Sequence, residues 1–285
     1  METSWSGRER EMKKVSIIGL GWLGMPLALA LMGRGYQVAG SKTTDDGVEA
    51  TRNVGIECYR LRLTPEPECE ARELEALLNT DALIVTLPPS KVSQEGAGYL
   101  EAVQAIVNSA LALGVSRIVF TSTTSVYGRT QGIVKESSAL KPDTATAQSI
   151  VELEQWLHAL PNTEVDIVRL AGLVGAERHP GRFLAGRRDV PNGSHGVNLV
   201  HQEDVVAAIL LLLQLPHGGH LYNLCAPLHP SREVFYTAQA QRLHLVPPRF
   251  LAGDPEAARL VDGQLICREL GFEYLHPDPM TIPLN

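Results

Sequence analysis

The chain has 285 residues, a formal net charge of −7 and the composition of an ordinary globular protein, enough for one large α/β domain or a nucleotide domain with a smaller lobe. The acidic balance and the lack of a basic stripe exclude non-specific nucleic-acid binding, which needs Lys and Arg to neutralise phosphates. Cys58, Cys69, Cys225 and Cys267 are scattered, without the close spacing of a zinc site or a redox pair, and read as reduced thiols of a cytoplasmic protein.

Met1 to Glu11 is polar and patternless, so a disordered extension is expected. Lys13-Lys14 followed by Val15 to Met32 imitates a signal peptide or a membrane span. Gly19, Gly21, Gly24 and Pro26 interrupt that run, however, and no small-residue cleavage pattern is obvious. Neither a membrane nor a metal is called for, and no His-Glu-x-x-His spacing occurs.

A short apolar run, Val15 to Ile18, has the length and β-branching of a buried parallel strand. It enters Gly19-Leu20-Gly21-Trp22-Leu23-Gly24, and an apolar helical segment from Trp22 to Met32 follows. In that context Gly19 turns the chain out of the strand, Gly21 lets a pyrophosphate approach the backbone, and Gly24 lets the helix lie tight on the strand. The unpartnered N–H groups at the helix start, those of Trp22 and Leu23 included, and the helix dipole favour an anion there. A glycine turn that binds nothing is the competing reading.

Gly33-Arg34-Gly35 stops that helix, and Tyr36 to Gly40 forms a second strand. A site selecting NAD usually has an acid just after this strand to bind the ribose hydroxyls. Here Ser41-Lys42-Thr43-Thr44 follows, with acids only at Asp45 and Asp46. An ammonium and hydroxyls can bind a 2′-phosphate that a carboxylate would repel, which favours NADP over NAD. The alternative is a solvated Lys42 with Asp45 on the ribose.

Glu57 to Leu63 is expected as a third strand, Glu70 to Leu78 as a helix, and Asp81 to Leu87 as a central strand ended by Pro88-Pro89. Leu87 and Pro88 should border the cofactor, because α/β sheets bind ligands at strand carboxyl ends. A helix over Tyr99 to Leu113 and a strand over Arg117 to Thr121 complete the alternation that implies right-handed crossovers and a parallel sheet. Beyond lie a helix at Thr144 to Leu160, a strand at Val165 to Leu170, a short strand at Val197 to Val200, and a helix at Val205 to Leu215 capped by Asp204. Leu221 to Leu224 is a last core strand, Ser231 to His244 a helix capped by Ser231, and Asp262 opens a final helix.

Ser122-Thr123-Thr124-Ser125-Val126-Tyr127-Gly128 gives the chain a specific likeness, joined by Val168-Arg169-Leu170, Val200-His201, Asp204-Val205, Tyr222-Asn223 and Glu269-Leu270-Gly271-Phe272. From Lys14 to about Pro279 the chain resembles the extended short-chain dehydrogenase/reductase family, the NAD(P)-dependent epimerases and dehydratases acting largely on nucleotide sugars. The resemblance implies a Rossmann-type doubly wound parallel sheet (12–170 and 197–225) and a small substrate lobe (171–196 and 226–285). It also implies a nicotinamide cofactor and a small polar substrate, with His179 and Arg182 helping to clamp a substrate diphosphate; an exposed basic loop with His179 on its surface is the alternative.

Two departures stand out. The extended family usually shows Gly-x-x-Gly-x-x-Gly, whereas this chain has Gly-x-Gly-x-x-Gly. More consequentially, the family's Tyr-x-x-x-Lys, in which the Tyr is the general acid/base and the Lys lowers its pKa, is absent. Aligned on Glu154, those positions hold Thr146 and Ile150. A threonine hydroxyl is too weak an acid to replace a tyrosine activated by a cation. The resemblance assigns Thr123 to the substrate oxygen, and Tyr127 becomes the best remaining proton donor, ahead of Lys135, His179 and His201. Structural packing is the alternative for Tyr127. Three functions stay open: an atypical enzyme, a non-catalytic dinucleotide sensor or scaffold, and a fold retained without cofactor.

Overall fold

The computed structural model describes residues 12–64, 66–92, 98–253 and 258–283; the extension expected over residues 1–11 lies outside them. Seven parallel strands form the central sheet: β1 (Lys14–Ile18), β2 (Gln37–Lys42), β3 (Glu57–Arg60), β4 (Ala82–Val85), β5 (Arg117–Thr123), β6 (Glu164–Leu170) and β7 (Leu221–Leu224). Their spatial order is β7-β6-β5-β4-β1-β2-β3, the Rossmann order with one strand added beyond β6. β1 pairs with β2 through Val15–Val38 and Ile17–Gly40, and with β4 through Ile17–Ile84. The order of strands therefore reverses between β1 and β4, where a crevice opens at their carboxyl ends.

Helices α1 (Gly24–Gly33), α2 (Asp45–Asn53), α3 (Ala71–Leu78), α4 (Tyr99–Ala112), α5 (Ala145–His158) and α6 (Gln202–Gln214) connect these strands. The middles of the central strands are largely apolar because helices cover both faces; Val15, Ile17, Leu83, Ile84, Ile118 and Val119 are fully buried. Helix α7 (Arg232–Arg242), capped by the Ser231 hydroxyl as expected, belongs to a second, smaller apolar cluster. Val174, Val197, Leu199, Phe235, Tyr236 and Ile282 form it, with Leu184, Phe250 and Met280 packed alongside. Helix α8 (Leu265–Leu270) ends at Gly271, which adopts the left-handed conformation of a helix stop. No helix among the described residues is long and apolar enough to cross a membrane.

Several boundaries move. β2 continues two residues past Gly40, so Ser41 and Lys42 end the strand instead of following it. Helix α2, which the acidic pair Asp45-Asp46 did not signal, starts at a Thr44 cap whose hydroxyl accepts from the Gly47 N–H. The expected strand over Glu57 to Leu63 divides, because Arg62–Leu63 pairs antiparallel with Pro67–Glu68. Leu199–His201 lies outside the central sheet and pairs with Gly172–Val174. Asp204 does not cap α6: His201 does, its Nδ1 accepting from the Glu203 N–H at 3.2 Å. The buried Asp204 carboxylate accepts instead from Leu275 N at 2.6 Å and His276 N at 3.2 Å, holding the C-terminal segment.

Candidate functional site

Gly19 leaves β1 with φ +98°, a conformation open to glycine, and hydroxyls hold its peptide groups on both sides. Its N–H donates to Ser41 Oγ at 3.0 Å, and its carbonyl accepts from Thr86 Oγ1 at 2.7 Å. A Cβ on Gly24 would lie 2.1 Å from the Gly19 carbonyl oxygen, so only glycine permits this closeness of helix to turn. A Cβ on Gly21, by contrast, would meet nothing within 4 Å, so the backbone there faces open space.

Helix α1 starts after Leu23 without any side-chain cap; the Met25 N–H donates to the Gly21 carbonyl at 3.0 Å, and no side chain caps the N–H groups before it. The Trp22 ring packs against Gly175, with the Arg178 guanidinium 5.9 Å from its centroid. The Gln202 amide donates to the Trp22 carbonyl and ties the turn to the start of α6.

Beside the turn lies a cavity of about 270 Å³ bordered by Gly19, Ser41, Lys42, Thr43, Arg62 and Leu87, with Lys91 and Val92 at its far side. The three residues expected around a cofactor's adenosine end, Ser41, Lys42 and Thr43, are thus brought together with Gly19 of the turn and Leu87 at the strand-end border. Ser41 is buried and spends its hydroxyl on Gly19, so it positions the turn. Lys42 and Thr43 line the cavity. Pro88, also expected at this border, is not among the lining residues; it precedes a short helical turn at Pro89–Lys91.

Arg62 was not legible as a site residue. It borders the cavity because the short hairpin after β3 folds back, its Nε donating to the Thr43 carbonyl at 3.1 Å. Asp45, the alternative ribose ligand, pairs with Arg60 at 3.2 Å and lines a neighbouring depression.

Farther along the strand ends, Thr123 closes β5 and its hydroxyl accepts from Ser125 N at 3.2 Å, leaving the hydroxyl able to donate. Tyr127 is fully buried. Its hydroxyl donates to Asn223 Oδ1 at 2.7 Å and accepts from Arg169 Nη1 at 2.9 Å. Arg169 in turn forms a buried ion pair with Glu154, its Nη2 2.6 Å from Oε2, and Glu154 also accepts from Ser122. The Asn223 N–H donates to Glu136 at 2.8 Å. Burial pushes the Tyr127 hydroxyl above its ordinary pKa, outweighing the lowering effect of Arg169. A general acid/base must reach its substrate and titrate near the working pH. In this conformation the Tyr127 hydroxyl is buried and held by Asn223 and Arg169 in a closed polar network, an arrangement that suits the packing reading of this residue.

Helix α5 carries Thr146, Ile150 and Glu154 at four-residue spacing, on one face. Ile150, the residue that the resemblance aligns with the family's lysine, is buried in the core.

His179 and Arg182 separate. His179 is buried, its Nδ1 accepting from Gly181 N at 3.1 Å beneath a turn packed on α7. Burial, reinforced by the charges of Arg242 and Arg182, holds its pKa below the usual value, and its Nε2 has no partner. Arg182 is exposed. Neither belongs to the cavity beside the glycine turn. Cys58, Cys69, Cys225 and Cys267 are free thiols, and burial raises the pKa of each.

A Rossmann sheet, a glycine turn open over an uncapped helix start, and a Ser-x-x-Ser-x-Tyr-Gly segment at the end of the next strand but one define a dinucleotide-fold protein of the epimerase type. The chain belongs to the NAD dependent epimerase/dehydratase family, which matches residues 15–225. It is 57% identical over 275 residues to Protein YeeZ of Escherichia coli strain K12, covering 96% of this chain and 100% of that protein. In fold it is similar to a short-chain dehydrogenase/reductase superfamily protein from Agrobacterium tumefaciens with bound NAD, at TM-score 0.74 and 20% identity over 94% of each chain. It is also similar to UDP-glucose 4-epimerase from Thermotoga maritima with UDP-glucose, at TM-score 0.75 and 15% identity, covering 92% of this chain and 94% of that one.

Proposed function

We propose that this chain is an NADP-preferring oxidoreductase or epimerase-like enzyme of atypical mechanism, acting on a small polar substrate of the nucleotide-sugar class. The observation that carries the reading is the bare, outward-facing backbone at Gly21, beside a helix start that no side chain caps. Backbone amides from Gly21 to Gly24 would hold a pyrophosphate there, with Trp22 and Leu23 supplying N–H groups. Lys42 and Arg62, with the Thr43 hydroxyl, would take a 2′-phosphate in the adjoining cavity. Leu87 and Pro88 would border the same cofactor.

The residues therefore fit a nicotinamide dinucleotide, which when bound supplies the capacity to accept or donate hydride. The chain's own contribution to the chemistry would be Thr123, orienting the reacting substrate oxygen by donating its hydroxyl hydrogen. The substrate lobe would comprise 171–196 and 226–285, with exposed Arg182 available to a substrate diphosphate and His179 supporting its turn from below.

A second reading has one observation in its favour. Tyr127 is immobilised in a closed network and Ile150 is core, which suits a dinucleotide-dependent sensor that performs no hydride transfer. Fluorescence titration of the full-length chain with NADPH and NADH tests the shared part. NADPH should bind tighter. Preference for NADH by about tenfold, a difference of about 1.4 kcal/mol, overturns the 2′-phosphate assignment. Binding of neither overturns both readings. Turnover across a panel of sugar nucleotides and carbonyl compounds then separates enzyme from sensor.

A further inference from the structure

At the start of α6, away from the cavity just described, three metal-capable side chains converge. His201, Glu203 and His276 each offer a ligand atom, and these atoms lie within 4.8 Å of one another. His276 Nε2 is 2.6 Å from Glu203 Oε2, and His201 Nδ1 is 3.8 Å from the same oxygen. The two imidazole rings face each other, centroids 3.8 Å apart and tilted by 38°. His201 is buried, the His276 side chain nearly so at 15% exposure, and the Glu203 side chain is exposed at 62%.

We propose that His201, Glu203 and His276 form a binding site for a divalent transition metal, with zinc as the ion their donor set suits, stapling the C-terminal segment to α6. Two imidazoles and one carboxylate are a recognised zinc set, leaving a fourth tetrahedral position to water. Imidazole donors favour zinc and its neighbours over magnesium or calcium. Two ligands on one tetrahedral zinc stand about 3.3 Å apart, so the His276–Glu203 contact must open. The exposed Glu203 side chain can swing to allow this. Coordination takes the His276 Nε2 lone pair, and the proton held there moves to Nδ1 or to solvent. It also takes the His201 Nδ1 lone pair, in exchange for the 3.2 Å bond from Glu203 N–H.

The helix dipole at this end of α6 opposes a cation. The carboxylates of Glu203 and, directly behind, Asp204 oppose that effect. Asp204 already fixes the backbone of Leu275 and His276, so the ring of His276 is brought to the site by an independent anchor. The sequence hides the arrangement, because His-x-Glu and a third ligand 73 positions later match no local metal spacing.

The test uses the full-length chain stripped with a chelator and titrated with zinc chloride, read by calorimetry and by metal content after desalting. One ion per chain is expected, with a rise in Tm. Glu203→Gln alters an exposed side chain and His276→Ala leaves the α6 cap intact, so circular dichroism should show both folded. Each should weaken zinc binding about tenfold or more and abolish the Tm rise. Cobalt chloride should give the visible absorption of a four-coordinate site in the parent and not in the variants. Substoichiometric zinc, or folded variants that bind as the parent does, overturns the proposal.

Discussion

Tyr127→Phe distinguishes a structural tyrosine from a catalytic one. The substitution keeps the ring, and with it the packing and the Arg169 guanidinium 5.2 Å from the ring centroid. It removes only the hydroxyl. Asn223 Oδ1 then loses its 2.7 Å donor, and Arg169 Nη1 loses a 2.9 Å acceptor, retaining a weaker approach to Glu136 O at 3.4 Å. A buried polar group left unpaired costs about 1–3 kcal/mol; with Arg169 still paired to Glu154, the sum for the two is about 2–4 kcal/mol. Unfolding entropy for a chain of this length is about 0.6 kcal/mol per kelvin, so Tm should fall by about 3–7 °C. Thermal and urea unfolding measure the loss, and dinucleotide titration at a temperature where the variant is folded should give the parent's affinity. A Tm within about 1 °C of the parent would refute the network argument. So would turnover, on any substrate found, lowered by the ~10²–10⁴ of a lost acid/base in fully folded variant.

The two inner glycines of the turn should fail differently. Gly24→Ala drives a Cβ to 2.1 Å from the Gly19 carbonyl and should lower Tm by several degrees, whereas Gly21→Val, entering open space, should keep Tm and lose dinucleotide binding; equal Tm losses would contradict the geometry. Lys42→Ala and Arg62→Ala should each weaken NADPH about tenfold while leaving NADH within about twofold, as expected of a lost charge-assisted phosphate contact; equal losses for both dinucleotides would remove these residues from the selectivity argument. His179 has its folded-state pKa held down by burial, so below the unfolded value of about 6.5 the unfolded chain binds the extra proton and stability falls with pH. His179→Asn retains an acceptor for Gly181 N–H and cannot titrate. Below pH ~6.5 the parent should therefore lose up to about 1.4 kcal/mol per pH unit relative to the variant, and parallel pH profiles would refute this.

What could be read in the residues was mostly what local physics dictates. The run Val15 to Ile18, the spacing of Gly19, Gly21 and Gly24, and the alternation of apolar strands with helices specify a parallel sheet and its crevice without long-range information. The cavity residues Ser41 to Thr43 and Leu87 followed from their places at strand ends. Arg62 did not, because it reaches the cavity through a two-residue strand pairing that no periodicity announces. Asp204 looked like a helix cap because carboxylates commonly are; the N–H groups it serves belong to Leu275 and His276, some seventy positions away. The surroundings of Tyr127 were hidden for a similar reason. Its neighbours in sequence place it near a strand end, and only Arg169, Asn223 and Glu154, brought together by β6, β7 and α5, reveal that the side chain turns inward.

The buried network bears directly on what chemistry this chain can perform. For the Tyr127 hydroxyl to reach a substrate, it must leave Asn223 and Arg169 behind, both buried and both deprived of a partner, next to a Glu154 that already shares Ser122 and Arg169. That movement carries the same several kcal/mol as deleting the hydroxyl, so substrate binding would have to offset it before any proton moved. A buried ion pair of this kind adds little net stability compared with apolar packing, but one partner cannot be disturbed without stranding the other. On the α5 face Ile150 is core and brings no charge, and Glu154 is already engaged by Ser122 and Arg169. On the proposed function, a proton for the chemistry would therefore come from a group other than the buried Tyr127 hydroxyl, at the strand ends where Thr123 closes β5. An enzyme built this way should be slow, and a sensor built this way would lose nothing.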